Sequence, residues 1–308
     1  MAKKTTKKAQ ADAPKELPKK SRFNGAWILE KSIPIVKKYK GKITLRGLHY
    51  QLVGLGMTND VTHYKNVVAT MTKARWEGVL EYGAFMDHER DTIGWTNFRE
   101  TDVDSAIDNA IDQIKEWAND YTKNRWENQP IYPEVFIEKK ALQGYFEDVC
   151  RNWGVALNPC KGYPSITYLN LAKDRFRSAQ RNGKKCVILY FGDYDCSGED
   201  IPRSIDASLQ KMGLVGVEVR RIALMEKQVK AWKLPFAPTK KTDSRGNNWG
   251  GLGQVELDAV SPEKITELLR GAIESVFDTD LHNELMEQEE QEGEEFRNRM
   301  KERFNLED

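Results

Sequence analysis

The sequence predicts an α/β protein in which a helical N-terminal module precedes a mainly parallel sheet covered by helices. Three observations predict it. Strand-like and helix-like patterns alternate between residues 133 and 277, the order that builds a parallel sheet. One apolar run, CVILYF at 186–191, has the length and continuity of a strand buried on both faces. Residues 23–76 read as helices, and a β element, VLEYGAFMD, follows them.

Length and composition set the bounds. The chain of 308 residues is long enough for one large domain or two ordinary ones, and 39% hydrophobic residues with eight Trp imply real cores. No apolar run approaches the ~18–20 residues that span a bilayer, so no membrane partner is expected. The N-terminal stretch has no apolar core of a secretory signal, and Cys150, Cys160, Cys186 and Cys196 lack CxxC spacing. Reduced thiols and a cytoplasmic location are expected. The net charge of +1 hides an asymmetry: residues 1–22 carry +6 and residues 278–308 carry −8. The first is expected to be a disordered basic arm that adds phosphate attraction or solubility, and the second an exposed charged helix.

Taken in order, residues 23–102 form the first module. Residues 23–43 read as a helix kinked or divided at Pro34. Thr44 is a good N-cap for the next helix, LRGLHYQLVG, whose Leu45, Leu48 and Leu52 share a buried face. Arg46 and Tyr50, four apart, lie side by side on another face. A third helix over 61–76 buries Val67, Val68 and Met71 and leaves Lys65, Lys73 and Arg75 available to phosphates. Helices followed by a β element make a winged-helix (CAP-like) module, of the class that lays a helix against double-stranded DNA. Residues 87–102 are polar and irregular.

Val103, Ile107, Ile111, Ile114 and Trp117 give a strong helical period, and with the segment up to 132 form a helical connector. The sheet region at 133–277 then reads as strand PEVFIE, helix 140–153, short strand 155–157, turn CKGYPS, helix 166–180, strand 186–191, helix 201–212 and strand 217–224. A Gly-, Pro- and Lys-rich loop at 234–253 and a helix after Ser261–Pro262 complete it. Trp95, Trp117 and Trp126 are expected to pack in cores or between domains.

The chemistry gathers at the strand ends. Glu138 ends the first strand, and Asp193 and Asp195 follow the third. In a parallel sheet all strand C-termini point one way, so the three acids can meet across a crevice. Carboxylates that close repel one another unless a cation intervenes. Hard oxygen ligands of this kind suit Mg²⁺, or Mn²⁺, which can polarise a phosphodiester. The competing reading is an acidic surface turn.

A glutamate at the end of strand one with DxD after a later strand resembles the Toprim domain of topoisomerases, primases and related nucleases. FIEKKAL, KGYPS, YFGDYDCSGEDI and ELDAV (256–260) together resemble the Toprim half of the topoisomerase VI A subunit and of its relative, the meiotic double-strand-break transesterase. The resemblance covers roughly residues 25–275 and carries the Mg²⁺-binding role onto Glu138, Asp193 and Asp195. TLRGLHYQ resembles that family's Arg-x-x-Tyr-Tyr motif, in which the second tyrosine attacks DNA; it aligns with Tyr50, while His49 replaces the first. Arg75 matches an arginine that follows the family's next helix. The resemblance implies Mg²⁺-dependent DNA cleavage through a 5′-phosphotyrosyl link. It also implies a homodimer in which one subunit's tyrosine meets the other's metal site.

Chemistry bears on Tyr50 separately. A phenol of pKa about 10 attacks poorly at neutral pH, and Arg46 is placed to lower that value or to hold the scissile phosphate. Lys139 and Lys161, beside the acids, are further candidates for phosphate contact, though both could be merely solvated or shape a turn. Two other readings stand: a Toprim nuclease that cuts without a covalent link, and a DNA-binding module that does not cut. No P-loop is present, so strand passage would need a separate ATPase (B-type) subunit.

Overall fold

The structure, a computed structural model, describes residues 23–39, 43–86, 102–236 and 253–304. The basic arm, Trp95 with the stretch expected to be irregular, and most of the loop at 234–253 lie outside the described residues.

Helices α1 (Gly25–Tyr39), α2 (Leu45–Gly54) and α3 (Val61–Trp76) pack around Ile28, Leu48, Leu52, Val67 and Met71. Pro34 does not divide α1; it sits on an exposed face, where its ring meets solvent. Thr44 caps α2 as expected, its hydroxyl accepting the Gly47 N–H at 2.9 Å. The strand or hairpin expected from residue 79 does not form through residue 86, where the chain makes turns and bends. Leu80 and Ala84 are buried but Tyr82 between them is 70% exposed, so the alternation of a strand is broken.

Helix α4 (Val103–Ala118) forms where the periodicity places it. Its apolar stripe is nonetheless exposed: Val103, Ile107, Ile111 and Trp117 face solvent, and among the described residues only α10 makes several contacts with the helix. Trp117 therefore does not pack in a core. Trp126 does, donating its indole N–H to the Trp153 carbonyl at 2.7 Å.

The rest is an α/β unit. Strands β1 (Ile131–Ile137), β2 (Ala156–Pro159), β3 (Lys185–Phe191) and β4 (Val217–Ala223) form one parallel sheet in the order β2-β1-β3-β4. One face packs against α5 (Gln143–Trp153), α8 (Glu226–Trp232) and α9 (Pro262–Glu274), the other against α6 (Ile166–Arg181) and α7 (Cys196–Lys211). Alternate residues of β3 feed the two cores, Val187, Leu189 and Phe191 one way and Cys186, Ile188 and Tyr190 the other. That two-sided burial is why the strand reads as a continuous apolar run.

Sequence reading placed α7 five residues late. The helix starts at Cys196 because the Asp195 carboxylate accepts the Gly198 N–H at 2.7 Å and serves as its N-cap. It placed no helix at α8. The charged helix at the C-terminal end forms as α10 (Thr279–Phe304); its Glu289 and Glu292 bind the backbone and ammonium of Lys123. Among the described residues no helix is long and apolar enough to cross a membrane. None of the four cysteines forms a disulfide.

The topology positions the site. From β1 the chain moves outward to β2, then crosses back to β3 on the other side of β1. The strand order therefore reverses between β1 and β3, and open α/β sheets hold their ligands in the crevice at that reversal. Glu138 leaves one wall of it, and Asp193 with Asp195 leaves the other.

Candidate functional site

A cleft of about 620 Å³ opens at this point, lined by Arg46, Glu138, Lys139, Lys161, Asp193 and Asp195 among others. Of the residues singled out in the sequence, these six come together. Lys65 and Lys73 lie exposed on α3, and Arg75 stands over the Phe85 ring at 5.5 Å; none of the three lines the cleft.

Backbone geometry fixes the acids. The Asp193 N–H donates to Glu138 Oε2 at 2.8 Å, tying the two strand ends together. Asp193 Oδ1 accepts the Leu257 N–H at 2.8 Å. Two glycines permit this. A Cβ on Gly192 would stand 2.4 Å from the Tyr190 hydroxyl and 2.7 Å from Glu138 Oε2, and one on Gly198 would stand 2.2 Å from the Asp193 carbonyl oxygen. No side chain fits at either position without moving the acids or the turn that holds them. Beneath the turn, Arg221 donates to the Asp193 carbonyl at 2.7 Å and to the Gly198 carbonyl. Lys161, at φ 54°, is held in the left-handed region, and the next N–H, of Gly162, donates to the Glu138 carbonyl at 2.9 Å.

The electrostatics are those of too much negative charge under cover. Burial pushes the Glu138 carboxyl above its usual range and Asp195 adds to the rise, against the pull of the Asp193 N–H and Lys139. Burial likewise raises Asp193, with Lys139 opposing and Glu138 adding to it. Among the described residues no hydrogen bond reaches Glu138 Oε1 or Asp195 Oδ2; neither oxygen is fully enclosed, and Asp195 is half-buried, so both open on the cleft.

Sequence reading missed how much of the site residues 256–258 supply. An isolated bridge between Tyr194 and Val255 brings Glu256 and Asp258 to the cleft. Lys139 is not directed at open solvent: its ammonium meets Asp258 at 2.8 Å, Asp193 at 2.9 Å and Glu256 at 3.2 Å. Burial pulls that ammonium's pKa down, but Asp258, Asp193 and Glu256 together outweigh it and raise it. Arg46 pairs with Glu256. The visible signal was the spacing of ELDAV, acid–x–acid, the same as in DYD.

Tyr50 lies behind this wall. It is 5% exposed and belongs to the core that includes Tyr145 and Leu257. Arg46 does pull its phenol down, but burial and then Glu256 prevail, and the pKa is pushed up to about 12. The expected activation of the phenol by Arg46 is thus reversed, because Arg46 is already neutralised by Glu256 while the ring is desolvated.

The donor chemistry suits a hard divalent cation: carboxylates gathered on one cleft, two oxygens that take no protein donor, and a surplus of negative charge. As they stand the carboxylates do not form a ready ligand shell; among the described residues no group of three or more His, Cys, Asp or Glu is arranged to hold a metal. No family model, curated protein or solved structure matches the chain. Fold and cleft together define an α/β protein with an acidic site at the reversal point of a parallel sheet.

Proposed function

We propose that the cleft is a Mg²⁺- or Mn²⁺-dependent site that cuts the DNA backbone, with the sheet acting as a Toprim-type domain and α1–α3 as a winged-helix-type DNA-binding unit. One observation carries the reading: Glu138 and Asp195 converge on the reversal point of the sheet, each with an oxygen left without a hydrogen bond. Carboxylate oxygens that open on an acidic cleft and take no protein donor are free to ligate a hard cation. A bound divalent ion would supply Lewis-acid polarisation of a phosphodiester and offset the charge that develops on it. Glu138, Asp193 and Asp195 would hold it. Lys140 and Lys161 on the rim would bind and orient the flanking phosphates.

Hydrolysis fits this geometry better than tyrosyl transfer. A phenol 5% exposed, with its pKa at about 12, cannot reach a phosphate unless α2 moves. Tyrosine transesterification keeps one observation in its favour: Tyr50 is close enough to the cleft to feel Glu256 and Lys139 of its own chain.

The test is cleavage of end-labelled supercoiled plasmid with Mg²⁺ or Mn²⁺, stopped with detergent and digested with protease. Wild type is compared with Glu138→Gln, Asp195→Asn (a substitution that keeps the N-cap) and Tyr50→Phe. Metal-dependent cutting lost in the two acid variants, retained in Tyr50→Phe and leaving no label on protein is the expected result. Linear product would report two sites acting together, and nicked circles one. Unchanged cutting by Glu138→Gln and Asp195→Asn would overturn the proposal. Label trapped on wild type but absent from Tyr50→Phe would give the chemistry to the tyrosine.

A further inference from the structure

Lys139 follows Glu138 directly, in extended backbone at φ −110° and ψ 116°. Its ammonium has three protons to donate, and three carboxylates receive it: Asp258 Oδ2, Asp193 Oδ2 and Glu256 Oε2, at 2.8, 2.9 and 3.2 Å. They come from two segments, the end of β3 and the turn at 256–258; among the described residues the other cation paired with these three acids is Arg46, at the outer edge of Glu256. Arg221, below, is committed to backbone carbonyls. The side chains of Asp258, Asp193 and Glu256 are 2%, 8% and 13% exposed, so water screens little of their charge. Next to this sealed arrangement stands Glu138, 9% exposed, lining the same cleft with Oε1 unpartnered. The site thus has two halves: three acids that share one lysine, and oxygens beside them that have no cation.

We infer that Lys139 is a built-in counter-ion, its ammonium standing in for a metal at Asp193, so that a divalent cation entering the cleft competes with it for that carboxylate. The inference rests on the reading that the cleft takes a divalent ion, and it gives Lys139 a positioning role. Without metal the lysine holds Asp193, Glu256 and Asp258 in place against their mutual repulsion. With metal the ammonium is displaced toward the open side of the cleft, where Lys161 lies and a backbone phosphate would bind. Charge repulsion between a fixed ammonium and an arriving dication is strong at these distances in a poorly screened site, so its removal should tighten cation binding by at least about tenfold.

The experiment measures Mn²⁺ affinity by electron paramagnetic resonance of free Mn²⁺, without DNA, for wild type, Lys139→Met and Lys139→Arg; each is also melted in chelator and in Mn²⁺. Lys139→Met should bind Mn²⁺ at least about tenfold more tightly than wild type, and Lys139→Arg, which keeps the charge, should stay near wild type. Lys139→Met should also melt below wild type in chelator and recover more than wild type on adding Mn²⁺, because binding to the folded state alone stabilises it. The melts keep the test sharp even where the substitution weakens the fold. Mn²⁺ binding by wild type that Lys139→Met leaves unchanged or weakens would overturn the inference and spare the metal site. Absence of Mn²⁺ binding in all three proteins would overturn the metal site and the inference with it.

Discussion

Two glutamates four residues apart on one strand end differently. Glu134, inside β1, has no exposed surface and receives four donors: Arg175 through Nε and Nη2 at 2.7 Å each, Asn158 at 2.8 Å and the Tyr132 hydroxyl at 3.0 Å. Glu138, just past the strand, is nearly as buried, yet it receives the Asp193 N–H at 2.8 Å and a long contact from Tyr190 at 3.4 Å, both on the same oxygen. Its neighbour Asp195 repels it, where Glu134's neighbour Arg175 attracts. A buried carboxylate saturated with donors is structure; one with an oxygen to spare, at the reversal point of a parallel sheet, is a place for something else to bind.

The widest gap between the two should appear in stability. Arg175→Met leaves Glu134 charged in a closed site with only Asn158 and Tyr132 as donors. Removing one partner of a buried pair costs about 3–5 kcal/mol, and the remaining donors put this case near the low end. Urea unfolding should show the midpoint falling with an unchanged slope. A loss below about 1 kcal/mol would mean that Glu134 does not depend on its donors, and the contrast with Glu138 would fail.

The opposite sign is expected at Glu138. Glutamine keeps the oxygen that accepts the Asp193 N–H and removes the charge that Asp195 and burial oppose. Stability in chelator should hold or rise by roughly 1 kcal/mol, while metal-dependent cutting is lost, the usual exchange at a site kept strained for function. A Glu138→Gln protein that unfolds as readily as Arg175→Met would place Glu138 among the structural acids.

How much of this could be read without coordinates depends on what each feature rests on. The alternation of strands and helices, the two-sided burial of β3 and the caps at Thr44 and Ser261 are local patterns, and they hold, with α7 starting earlier than expected and α8 added. So does the convergence of Glu138, Asp193 and Asp195 on one cleft, because parallel strands share a direction. What failed depends on tertiary context. The period of α4 is a true helical period, yet it does not say what covers the stripe, and Trp117 is left facing solvent. The pairing of Arg46 with Tyr50 was visible as i, i+4, but Glu256, more than two hundred residues away, takes the guanidinium and reverses the phenol's shift. The acids of ELDAV could be read as a motif; only the bridge from Tyr194 to Val255 makes them part of the site.

The smallest effect asks whether a polar atom without a partner is a sign of function wherever it occurs. His49 offers the control. It is 3% exposed on α2, its Nε2 lies 3.3 Å from Asn59 Oδ1, and its Nδ1 has no partner. Unlike Glu138 it lines no part of the cleft, so no ligand there could complete it. Burial pulls its pKa below the ordinary histidine value, and Arg46 adds to the fall. A folded-state pKa below the unfolded one means the native protein binds fewer protons. Its contribution is then intact above the unfolded value near 6.5 and is lost as pH drops from there toward the folded value. Between pH 7 and pH 5 wild type should therefore lose up to about 1 kcal/mol more than His49→Gln, read as the difference between their urea midpoints. At neutral pH the two should cut DNA alike. Parallel pH profiles would mean that His49 titrates as if exposed. Lost cutting in His49→Gln, with its fold intact, would mean that the helix carrying Tyr50 takes part in the chemistry, and that the missing hydrogen bond at Nδ1 belongs with the one at Glu138.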